Sequence, residues 1–77
     1  MLHARDDYQR IQDPAGKIPE DEPVFLVRAQ DRTAPNTVQY WAGLNEAVSP
    51  ELAARAYQQV RRMLEWQQTH GCKAADL

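Results

Sequence analysis

The stretch VSPELAARAYQQVRRMLEWQQTHG, residues 48–71, constrains this chain more than any other. Ser49 is an N-cap residue, Pro50 suits the first helical position, where no amide hydrogen is needed, and Glu51 sets a carboxylate beside the positive helix end. Gly71 supplies a stop, because glycine accepts the backbone conformations that end helices. Between these signals Leu52, Ala53, Ala56, Tyr57, Val60, Met63 and Leu64 recur at helical spacing as one apolar stripe. The pattern predicts a long amphipathic helix over roughly residues 50–70. Such a helix is stable only when its stripe is covered, so the rest of the chain has to be read as cover.

The first cover is a second helix, predicted over about residues 35–48. Thr33 is its expected cap, with Ala34 and Pro35 in the first turn and Asp31 as a competing cap. Val38, Trp41, Ala42, Asn45 and Val48 share one face, and Tyr40 points elsewhere. Asn45 is polar within that stripe; it either makes a structural hydrogen bond that fixes register or touches a ligand. Val48 is followed at once by the Ser49 cap, so the two helices form a hairpin or a tight corner.

The second cover is the arm. DPAG, residues 13–16, has the chemistry of a β-turn, and Pro19 and Pro23 hold Ile18 and Glu22 extended. VFLVRA, residues 24–29, reads as a short strand. One strand cannot satisfy its backbone groups, so either the arm folds back as its partner or another chain supplies an edge.

Size then matters. A chain of 77 residues buries a limited share of its apolar surface. Its single cysteine, Cys72, excludes an internal disulfide, and strong metal ligands are confined to His3, His70 and Cys72. Association with another copy is the remaining supplement. The expected fold is mainly α: a two-helix hairpin or corner with an extended N-terminal arm and one short strand, completed by oligomerisation. The expected organisation is an acidic, proline-spaced arm over 1–23, a strand plus two-helix core over 24–71, and a loose tail over 72–77. Phe25, Leu26, Trp41, Met63 and Trp66 are the expected interface residues.

The formal net charge of −2, with acids and bases interspersed, is not the basic footprint of a nucleic-acid binder. No apolar run approaches the roughly 20 residues that span a bilayer. MLHARDDYQR lacks the apolar core of a signal peptide, and one free cysteine suits a reducing compartment. The expectation is a cytoplasmic protein that binds neither nucleic acid nor membrane.

The densest polar cluster is RAQDR, residues 28–32. Strand alternation puts Arg28 and Gln30 on one face, the guanidinium groups of Arg28 and Arg32 suit carboxylate or phosphate, and a nearby helix start adds backbone donors. Lys17 adds a charge if the arm folds back. The competing reading pairs these cations with Asp21 and Glu22. Trp66, at the margin of the long stripe beside Arg62 and Gln59, either seals an oligomer interface or stacks on a flat ligand; Tyr40 is a second such ring. Catalytic readings fail on spacing. AGK lacks the first glycine and the following Ser or Thr of a phosphate loop. His70 and Cys72 lie too close together for a nucleophile pair. No cofactor or metal site is expected, and the chain is not read as an enzyme.

The run YQRIQDPAGKIPEDEPVFLVRAQDRTAP, with VQYWAGLNEA after it, resembles small uncharacterised proteins encoded by tailed phages and prophages. The likeness covers the chain from about Tyr8 into the second helix and brings no catalytic residues. It implies a bacterial cytoplasm and an accessory phage function, such as countering host defence. Three functions follow as expectations. The first is a homo-oligomeric binder that sequesters a small anionic, nucleotide-like ligand through Arg28, Gln30, Arg32, Lys17 and Tyr40. The second is an inhibitor or adaptor that grips a host defence protein. The third is a minor structural protein of the virion.

Overall fold

The computed structural model describes residues 1–5 and 13–75. The chain runs β1 (Leu2–His3), β2 (Pro23–Val24), α1 (Ala34–Asn45) and α2 (Pro50–His70). It is mainly α-helical, with two helices and a short two-stranded parallel sheet.

Helix α2 forms as its signals require. Ser49 is extended and its hydroxyl accepts from the Leu52 amide at 3.3 Å, Pro50 opens the helix, and Glu51 binds Arg55 one turn on. At the far end Gly71 takes φ 80°, which only glycine adopts without strain. Helix α1 starts one residue early, and the Thr33 side chain makes no capping bond. Thr33 is nonetheless the cap position, its carbonyl accepting from Thr37, while Asp31 closes the preceding turn, its carbonyl accepting from Ala34 and its carboxylate from the Arg28 amide. The helix also ends early. Glu46 and Val48 turn back with bonds to the carbonyls three residues before them, and Val48, expected on the buried face, is 80% exposed. Asn45 donates from Nδ2 to the Trp41 carbonyl one turn back at 2.9 Å, a bond within its own helix.

The helices run antiparallel: Glu46 meets Tyr57 at one end, and Gln67 meets residues 29–31 at the other. Their seam is narrow. Ala34, Ala42, Ala53, Val60 and Met63 are its buried apolar residues, and three of these are alanines. Alanines let the backbones approach but contribute little transfer free energy; Val60 and Met63 contribute about 1.5–3 kcal/mol each. Both stripes are wider than the seam. Trp41, Leu52 and Leu64, read as part of the covered faces, remain on the surface. Met63 is the converse: expected at an interface, it lies in the core.

The arm does fold back. Leu2 pairs with Pro23 and His3 with Val24 in parallel, and the Leu2 amide donates to Glu22 at 2.7 Å. The DPAG turn closes through Gly16 N to Asp13 O, with Gly16 at φ 62°. The Asp13 carboxylate holds it further by accepting from Ile18. The expected strand over 24–29 shrinks to Pro23–Val24, because β1 offers only two residues to pair with and a turn begins at Arg28. The tail expected to be loose is tied at Lys73. Its amide donates to Gln30 O at 2.9 Å and its carbonyl accepts from Arg32 at 2.7 Å, a parallel bridge with Asp31.

Candidate functional site

Two surfaces carry the residues that chemistry would use. The first is the turn over residues 28–32. Its backbone is held from both sides: Lys73 bonds Gln30 and Arg32, and Gln67 Nε2 donates to both Ala29 O (2.9 Å) and Asp31 O (3.0 Å). The turn is therefore a fixed platform at the head of α1. Gln30 points inward to a cleft of about 220 Å³ shared with Trp66, His70, Gly71, Cys72 and Lys73. Its Nε2 is buried and has no hydrogen-bond partner among the described residues. Trp66 stacks on His70 with ring centroids 4.2 Å apart and planes 10° from parallel, making one aromatic wall.

Arg28 and Arg32 are exposed beside this cleft in sequence but are not among its lining residues. Tyr40 stands elsewhere, on a depression of about 480 Å³ with Gly43, Leu44 and Tyr57. There the Tyr57 hydroxyl donates to the Glu46 carboxylate, and that bond holds Tyr57 above the usual tyrosine pKa. Lys17 is exposed on the arm and lines neither depression. The structure thus joins Gln30 to Trp66, and places Tyr40 and Lys17 outside that cleft.

The second surface is the flank of the helix pair that the seam leaves open. Val38, Trp41, Leu52 and Ala56 floor a groove of about 510 Å³, and Arg55, Arg62, Gln58 and Gln59 rim it. Trp41 is 45% exposed, far more than a large indole in a covered stripe would be. Among the described residues Arg62 reaches only the Gln59 side-chain oxygen, at 3.5 Å, and Arg55 pairs with Glu51 in solvent. On the arm, Phe25 is 65% exposed while Val24 and Leu26 are half-buried.

Sequence reading missed Gln67, Lys73, Arg55 and the Glu46–Tyr57 bond. Gln67, Lys73 and the Glu46–Tyr57 bond act across the fold, so nothing in local spacing marks them. The basic rim alone had a signal, since Arg55 and Arg62 stand one turn beyond Glu51 and Gln58 on the stripe's border. Among the described residues no group of three or more His, Cys, Asp or Glu side chains is placed to hold a metal ion, and no helix is long and apolar enough to cross a membrane. Comparison with known protein families, with curated proteins and with solved structures gives no match.

Proposed function

We propose that this chain is a non-enzymatic, self-associating accessory protein that works by binding. The observation that carries this reading is the uncovered apolar surface around Trp41. The chain exposes 6123 Å², against about 4,800 Å² for a compact monomer of its mass. Its radius of gyration is 13.6 Å, against about 11.5 Å for its length. It is a slab of 34 × 31 × 19 Å whose helices cover each other only along an alanine-rich seam. Isolated exposed apolar residues are ordinary, but Trp41 and Leu52, both exposed in one groove, give a partner an apolar surface to cover. Light scattering coupled to size exclusion tests the reading. A mass of at least twice the 8.8 kDa chain at micromolar concentration is expected, and a stable single-chain mass would end it.

A second role for the same protein is favoured by the buried, unpartnered Nε2 of Gln30 beside the Trp66–His70 stack. An amide donor next to a flat aromatic wall suits a ligand with an acceptor-bearing planar edge. The cleft is smaller than the roughly 300–1,000 Å³ of ordinary ligand pockets, so it admits a base or a carboxylate rather than a whole nucleotide. Arg28 and Arg32 would then meet the charged remainder outside it. Thermal-shift screening against nucleotides and cyclic dinucleotides tests this, with Gln30→Ala abolishing any shift. On the phage-type reading of the sequence, both roles would be exercised in a bacterial cytoplasm, against a host defence protein or its nucleotide signal.

A further inference from the structure

The Trp41 groove has an apolar floor and a basic rim, and its occupant should match both. The chain carries such a segment itself. Residues 19–25, PEDEPVF, present Glu20, Asp21 and Glu22 in succession, flanked by Pro19 and Pro23 and followed by the exposed Phe25. Among the described residues the three carboxylates make no ion pair or side-chain hydrogen bond. The segment is also preset for docking. Glu22 N bonds Pro19 O, Glu22 O accepts from Leu2, and the prolines restrict the backbone, so little further ordering is needed.

We infer that two copies exchange these segments reciprocally, each placing Glu20–Glu22 against the other's Arg55 and Arg62 and its Phe25 on the other's Trp41 and Leu52. The inference rests on the self-association reading and adds which surfaces meet. Charge selects this arrangement over a face-to-face pairing of two grooves. Stacking groove on groove would bring the Arg62 guanidinium groups of both copies together beside the Arg55–Glu51 pairs, a contact with net like charge that disfavours association. Acidic segment on basic groove replaces that repulsion with attraction. Reciprocal exchange also closes on itself, so the assembly stops at two copies.

The test uses two charge-reversed full-length chains. One carries Glu20→Lys, Asp21→Lys and Glu22→Lys; the other carries Arg55→Glu and Arg62→Glu. All five side chains are exposed, and circular dichroism confirms that each variant keeps its helices. Each variant alone should dissociate, its dimer dissociation constant rising about a hundredfold or more. Mixed in equal amounts they should recover the dimer mass, because the lysine segment then meets the glutamate groove while the native pair remains intact on the other side. Dimers from either variant alone would place the interface elsewhere and overturn the inference, while leaving self-association standing. Monomers from both variants and from their mixture would overturn it too. A monomeric wild type would instead remove the reading beneath it.

Discussion

Replacing Gln67 by alanine should unfasten the 28–32 turn from the long helix. In the native protein one side-chain nitrogen donates to two carbonyls, Ala29 O at 2.9 Å and Asp31 O at 3.0 Å, across 38 and 36 residues of chain. The variant loses both bonds at a half-buried position, and no neighbouring donor replaces the amide. At about 1 kcal/mol per bond the loss is about 2 kcal/mol. Alanine's better helix propensity offsets only a few tenths of this. For a chain of this length each kcal/mol moves the melting temperature by about 4–8 °C, so a fall of about 8–16 °C follows. The assay is thermal unfolding by circular dichroism, at one fixed concentration because self-association would otherwise shift the midpoint. Gln68→Ala, one residue on and exposed, is the control and should change little. If Gln67→Ala melts within about 2 °C of wild type, the turn is not held by this side chain and the reasoning is wrong.

Gly71→Ala should cost about 1–3 kcal/mol in urea unfolding. The residue sits at φ 80°, ψ 178°, a region open essentially to glycine alone, and no neighbouring atom lies close enough to add a clash. Tyr57→Phe tests the bond to Glu46. Because that bond raises the tyrosine's folded-state pKa above its ordinary 10.0, the stability it adds is complete below about pH 10 and is lost as pH climbs through the raised value. The variant should therefore be less stable than wild type near neutral pH and converge on it in strong alkali, as read by denaturant titrations at both ends.

Helix α2 was legible because all its determinants are local: the Ser49 cap, Pro50, the stripe and Gly71 lie within the helix or next to it. Helix α1 was legible in its middle and not at its end. No glycine follows it, so the point where the ladder fails, after Asn45, depends on the corner into Ser49. Helical projection also overstated the covered faces. It ranks Leu52 and Trp41 with Ala53 and Ala42, but it cannot show how wide a seam the partner helix fills. The apolar run over 24–29 has strand composition, yet a strand extends only as far as its neighbour, and Leu2–His3 is two residues long. For the candidate site, RAQDR was visible as a dense polar cluster. Its fixing by Gln67 and Lys73, and the inward turn of Gln30, arise from contacts 36 or more residues apart in the chain.

The uncovered groove around Trp41 is the centre of this account, and the fluorescence of that indole reports on it directly. In a Trp66→Phe background Trp41 is the single tryptophan, and acrylamide quenching can be followed as the protein is diluted. Self-association through the groove predicts an indole that is shielded at high concentration and becomes several-fold more quenchable on dilution, along the same curve as the loss of dimer mass. Quenching that stays constant at every concentration, at the level of an exposed indole, would contradict it.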